Sequence, residues 1–189
     1  ISLLQKAVAR APQTPQYLAD LALAPHFANR TPDALAVWQK SLALRPNDFH
    51  TLNQFATVLL NANLFQQAEP VFTKLLSLLP PNSPAAADFH NNLAVVTIQL
   101  DRFTDALSHC HKDLLANPQN VSALCNQGYV LRKLRRMNEA VASFRQALAL
   151  NPNFLDAHSN LSAVLNDLQQ FPQAEAEARS ALALNPKYP

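Results

Sequence analysis

Pro12, Pro46 and Pro80 recur every 34 residues, and so do Pro118, Pro152 and Pro186, each of the last three preceded by an asparagine (Asn117, Asn151, Asn185). Between Pro80 and Pro118 the interval is 38. A fixed period of this length marks a chain built from stacked supersecondary units, none of which can bury its apolar face alone. A proline also ends a helix, because the residue before it is pushed out of the helical region. Each Asn-Pro therefore stops a helix such as the one ending in Ala147-Leu148-Ala149-Leu150. Thr31-Pro32 and Phe171-Pro172 place prolines where a helix starts and a missing N–H costs little.

The columns of this repeat carry the packing logic. Ala22, Ala56, Ala94, Gly128 and Ser162 form one column of small residues, and Ala34, Ala68, Ala106, Ala140 and Ala174 form a second. Small residues at two facing points let paired helices approach closely, while Trp38, Phe72, Phe144 and the leucines fill the gaps between pairs. Leu124, Gln127, Gly128, Leu131, Ala140, Phe144, Ala147 and Pro152 are one full set. Leu52, Phe55, Ala56, Leu59, Ala68, Phe72 and Pro80 repeat it, as do His158, Leu161, Ser162, Leu165, Ala174, Ala178, Ala181 and Pro186.

These positions resemble the tetratricopeptide repeat family over nearly the whole chain. The resemblance implies an all-α, right-handed superhelical solenoid of helical hairpins. Its boundaries are 1–12 for the second helix of a truncated repeat, then repeats at 13–46, 47–80, 81–118, 119–152 and 153–186, with 187–189 opening a missing unit. Eleven helices are expected. The 38-residue unit holds its four extra residues in Pro81-Asn82-Ser83-Pro84. Ser83-Pro84 reads as an N-cap followed by a first-turn proline, and one added turn lengthens the helix from Pro84 to Gln99 without rotating its buried face. Pro25 should end or kink the first helix of its unit, whereas Pro70 lies early enough in a second helix to be tolerated. Asp113 and Leu75 stand in the column of Ser41, Ala147 and Ala181, so looser packing is expected there.

Composition removes whole classes of function. Gly128 is the only glycine among 189 residues, so phosphate-cradling loops, dinucleotide fingerprints and nucleophile elbows cannot be built. A net charge of +2 with scattered Lys and Arg and no basic stripe through all units argues against nucleic acid, including RNA, as partner. No run of 18 apolar residues exists, and residues 1–11 are amphipathic, so no membrane partner is expected. Cys110 and Cys125 are too few for a disulfide scaffold or a four-cysteine zinc site, and they favour a reducing, cytoplasmic setting. Neither a catalytic residue, a metal nor a cofactor is expected. His109-Cys110-His111 is no metal site, since residues two apart on a helix point about 200° apart. His90 and His158 fall in a packing column and read as half-buried structural histidines.

The expected function is a protein-interaction scaffold that takes an extended peptide or partner protein in a concave groove lined by the first helix of each hairpin. Family geometry turns His50, Asn53, Thr57 and Asn61 toward that groove, then Asp88, Asn91, Val95 and Gln99. Ser122, Cys125, Tyr129 and Lys133 follow, and then Asp156, Ser159, Ala163 and Asp167. Asn92, Asn126 and Asn160 recur in one column after Asp20 and Gln54. A row of amides can grip a peptide backbone through its N–H and C=O groups. The strings around them resemble the asparagine ladder of O-linked N-acetylglucosamine transferases; asparagine is equally common in this column across the wider family. The alternative is therefore the substrate-recognition part of a larger glycosyltransferase of that kind. Arg132, Lys133, Arg135 and Arg136 either capture an anionic group of the partner or pair with Asp101, Asp105 or Asp167. The peptide-binding candidates are Asn53, Asn91, Asn92, Asn126, Asn160, Tyr129, Arg132 and Lys133. An uncovered face on residues 173–184, with Ala174, Ala178, Ala181 and Leu182, suggests weak end-to-end self-association, either like with like at the C-terminal end or against a second copy's Ile1, Leu3, Leu4 and Val8.

Overall fold

The computed structural model describes residues 31–80 and 83–186. Among these residues the chain is all-α, with nine helices and no strand. They are α1 (Thr31–Leu44), α2 (Phe49–Asn61), α3 (Phe65–Leu78), α4 (Ala85–Gln99), α5 (Phe103–Ala116), α6 (Val121–Lys133), α7 (Met137–Leu150), α8 (Leu155–Asp167) and α9 (Phe171–Leu184). The expected helix over 1–11, the first helix of the first repeat with its Pro25 break, and the side chains of Asp20, Ala22 and Ala34 lie outside the described residues. Two compact units divide the chain, residues 1–80 and 81–189.

In the first unit α1 packs on α2 and α2 on α3. Trp38 and Phe55 meet with ring centroids 6.2 Å apart and a tilt of 43°, in the range where edge and face quadrupoles attract. Asp48 caps α2, its carboxylate accepting from the Thr51 N–H and hydroxyl. Pro70 lies inside α3, which runs through it without interruption.

In the second unit α4–α5, α6–α7 and α8–α9 are hairpins, each packed on the next, and the first helices α4, α6 and α8 also touch in succession. The small columns explain the close approach. Ala94, Ala106 and Ala140 are fully buried, and a Cβ added at Gly128 would lie 2.8 Å from the Phe144 ring. At Ser162 the hydroxyl instead donates to the Ala174 carbonyl at 2.8 Å, across the α8–α9 hairpin.

Within each hairpin the two helices are joined by the same device. Asn63, Asp101, Arg135 and Gln169 are left-handed, with φ between 57° and 63°. The next residue's N–H reaches back to a carbonyl five residues earlier, as Arg136 does to Leu131 at 2.9 Å. This is the Schellman closure, in which glycine or asparagine usually takes the left-handed position. The scarcity of glycine thus leaves ordinary side chains in it.

Two expectations are corrected. Packing at Leu75 and Asp113 is not loose, for both are 0% exposed. Asp113 is accommodated because Asn120, the N-cap of α6, donates its amide to Asp113 Oδ2 at 2.8 Å while its own carbonyl oxygen accepts from the Ala123 N–H. Burial raises the Asp113 pKa above the usual carboxylate range, with the Asn120 hydrogen bond opposing. Ser83 does not cap α4 through its side chain as expected. Pro84 already has helical φ and ψ, and the Ser83 backbone carbonyl accepts from the Ala86 N–H at 3.0 Å. The insertion does lengthen this helix: α4 has 15 residues, against 13 in α2, α6 and α8.

Candidate functional site

The surface shared by α4, α6 and α8 is stitched by contacts that repeat at a spacing of 35, one more than the period. Asn126 donates its amide to Asn91 Oδ1 at 3.1 Å. Asn160 lies 4.0 Å from Cys125 Sγ and donates to the Asp156 carbonyl at 2.8 Å. Arg132 Nε donates to Asp167 Oδ2 at 2.7 Å. The first two contacts lie at a hollow of about 200 Å³ lined by Val95, Ile98 and Gln99 of α4, by Cys125, Asn126 and Tyr129 of α6, and by Asp156 and Asn160 of α8.

Tyr129 connects this hollow to a second. Lys133 Nζ lies 5.3 Å from the Tyr129 ring centroid and 5.9 Å from that of Phe103, within the reach of cation–π attraction. Arg132, Lys133, Arg135, Met137 and Asp167 line the second hollow, of about 350 Å³. Asn126, Asn160 and Tyr129 are thus brought together around one cavity, and Arg132 and Lys133 around its neighbour. Asn91 holds Asn126 from α4. Asn92 is half-buried on α4 and is not part of the lining. Asn53 is exposed on α2 of the first unit. Ile98 escaped the sequence reading, although it follows Val95 by three positions and so shares its helix face.

The basic cluster is divided by its partners. Arg132 pairs with Asp167, Arg136 with Glu139 at 2.6 Å, and Arg102 with Asp105 at 2.7 Å.

Cys110, His90 and His158 occupy packing positions, and Cys125 reaches the first hollow from a nearly buried one. Cys110 is fully buried and Cys125 nearly so. Burial pushes both thiols up to about 12, with Asp113 adding to the effect at Cys110 and Asp156 at Cys125, so neither is a nucleophile at neutral pH. His90 Nδ1 lies 3.1 Å from His109 Nδ1 across the α4–α5 hairpin. Burial first, and then the His109 and Lys112 charges, lower His90 to about 4. In the equivalent place on α8, His158 sits between Glu177 at 2.6 Å and the Pro152 carbonyl at 2.8 Å. Among the described residues, no group of three or more His, Cys, Asp or Glu side chains is placed to hold a metal ion. No helix there is long and apolar enough to cross a membrane.

On α9, Ala174, Ala178, Ala181 and Leu182 line a hollow of about 660 Å³ together with Phe171 and with Ser159, Ala163 and Asn166 of α8; Ala174 and Ala181 form its buried floor, and Phe171 and Leu182 are exposed.

Two stretches match family models described as tetratricopeptide repeat, residues 53–112 and 121–154. No curated protein matches the sequence. Solved structures share the fold. YrrB, a TPR protein with an unusual peptide-binding site, is 19% identical with a TM-score of 0.73, covering 98% of this chain and 93% of that one. The MamA protein is 16% identical with a TM-score of 0.78, covering 93% and 94%. TTC0263, a thermophilic TPR protein of Thermus thermophilus, is 22% identical with a TM-score of 0.66, covering 92% and 93%. The fold is that of tandem tetratricopeptide repeats.

Proposed function

We propose that this tetratricopeptide repeat array is a scaffold that binds an extended peptide segment of a partner protein, along the surface shared by α4, α6 and α8. The observation that carries the reading is the hollow in which Asn126 and Asn160 stand one hairpin apart beside Tyr129. Asn126 spends one amide hydrogen on Asn91, which fixes the side chain and leaves its carbonyl oxygen to accept a peptide N–H. Packed helices are about 8–10 Å apart, and an extended chain advances about 3.3 Å per residue. Successive asparagines therefore meet peptide positions about three apart. Asn92 continues the row on α4, and Tyr129 offers a flat apolar face between them. The peptide-binding site named for YrrB is consistent with this use of the fold. The second reading is that the same groove selects substrates for a larger O-linked N-acetylglucosamine transferase; the recurrent asparagine column is common to both readings.

The test is selection of binding peptides from a displayed random library on the 189-residue chain, followed by titration of the best binder into Asn92→Ala, Asn126→Ala, Asn160→Ala and the triple variant. Each single change should weaken binding by about 0.5–1.5 kcal/mol, the net value of a neutral hydrogen bond, with the far-ultraviolet circular dichroism unchanged. A triple variant that binds as tightly as the parent would refute the ladder.

A further inference from the structure

We infer that the hollow beside the groove is a carboxylate pocket, so that the bound peptide carries an acidic residue, glutamate by preference, at one fixed position. The inference rests on the groove reading and adds the chemistry of the ligand. Asp167 neutralises Arg132 at 2.7 Å, and Glu139 neutralises Arg136. What remains at the hollow is Lys133 and Arg135, both exposed and neither with a carboxylate partner among the described residues.

The placement of Lys133 is the second observation. Cations in the last turn of α6 would be favourable at a helix C-terminus in any case. That does not explain why the ammonium lies over the faces of both Tyr129 and Phe103, where it is held at the boundary between the two hollows. Tyr129 lines the first hollow and Lys133 the second, so a peptide gripped at Asn126 passes directly beside the cation. Lys133 follows Asn126 by seven residues, about 10 Å along the helix axis. An acidic side chain from the peptide covers part of that distance and the lysine stem the rest, which favours the longer glutamate over aspartate.

Asp167 lines the pocket together with the cations, its charge already balanced by Arg132. The reach from Asn126 to Lys133 suits a glutamate side chain, and the experiment separates this carboxylate from a phosphate, which the two cations left over could also balance.

The experiment is the same library selection, carried out in parallel on the parent chain and on the Lys133→Met/Arg135→Gln variant. Methionine keeps an unbranched side chain against the two rings, and both positions are exposed, so the fold is preserved. Peptides from the parent should be enriched in Glu at one position, and the enrichment should vanish with the variant. The best parental peptide should bind the variant about tenfold more weakly, and its Glu→Gln form should lose about as much on the parent but little on the variant. Peptides recovered without acidic enrichment, or enrichment that survives in the variant, overturn the carboxylate pocket while leaving the groove intact. No peptide recovered on either protein overturns the groove reading and this inference with it. Substituting phosphoserine for the selected Glu should weaken binding; tighter binding, by about tenfold or more, would make the pocket a phosphate site and overturn the choice of carboxylate.

Discussion

Replacing Gly128 by alanine tests how closely α6 and α7 are packed. Inside a helix this change ordinarily stabilises by about 1 kcal/mol, because glycine loses more backbone freedom on folding. Here the new Cβ would stand 2.8, 2.8 and 2.9 Å from three carbons of the Phe144 ring. Non-bonded carbons prefer at least about 3.5 Å, so ring or helix must move by about 0.7 Å. Phe144 is 0% exposed and cannot swing into solvent. Overpacking of this kind costs about 1–3 kcal/mol. Set against the propensity gain, the net is a loss of about 1 kcal/mol. The α2–α3 hairpin bounds the penalty, since Ala56 and Phe72 occupy the equivalent columns there and both are fully buried; a hairpin of this kind can accept the extra methyl by opening slightly. Urea unfolding followed by circular dichroism should show a lower midpoint at unchanged slope. In a Phe144→Leu background the same substitution should cost little or become stabilising, giving a coupling energy of about 1 kcal/mol or more. If Gly128→Ala raises stability in the parent by the full propensity gain, the ring is not packed on the glycine and the small-column account fails at its tightest point.

Two further outcomes concern pH. Asp113→Ala should stabilise the protein at neutral pH by about 1 kcal/mol, because a buried oxygen without a partner (Oδ1) is removed at a cost of one hydrogen bond and a small void. The raised pKa of Asp113 means that its adverse contribution grows as pH rises through the folded value, so the advantage of the variant should shrink on acidification in thermal melts; an advantage independent of pH would refute this. His90 has the opposite sign. Its folded value of about 4 lies below the ordinary 6.5, so the unfolded chain binds more protons between those limits and stability falls as pH is lowered through that window. His90→Gln should flatten this part of the melting-temperature profile, and an unchanged profile would show that burial, with the His109 and Lys112 charges, does not hold His90 neutral.

What could be read from the sequence was whatever repeats. The columns at Ala56, Ala94 and Gly128 and at Ala68, Ala106 and Ala140 announced helix pairs in close contact, and a four-residue insertion announced a longer α4, because period and packing are the same constraint seen twice. What stayed hidden was contact at other separations. First helices meet their neighbours at a spacing of 35, so Asn91 with Asn126 is invisible to an alignment of repeats at 34, whereas charge alone had pointed to Asp167 as one of three partners for the basic cluster. Helices within a hairpin meet at 19 in His90–His109 and His158–Glu177, where unlike partners fill one place. Asp113 read as a packing fault only because its partner, Asn120, belongs to the next repeat.

The same distinction locates the information about the ligand. Residues that recur in every hairpin answer to the core, which is alike throughout, and even a recurrent asparagine is ambiguous for that reason. Lys133 and Arg135 occur in one hairpin alone; the corresponding places after α8 hold Asp167 and Gln169, and those after α4 hold Gln99 and Asp101. Stacking does not require a cation there, since the neighbouring hairpins close through the same left-handed turn without one. Arg135 accepts a left-handed backbone that asparagine or glycine would adopt more cheaply. A charge placed once, beside a groove and with no part in the stacking, is what the proposed carboxylate pocket requires.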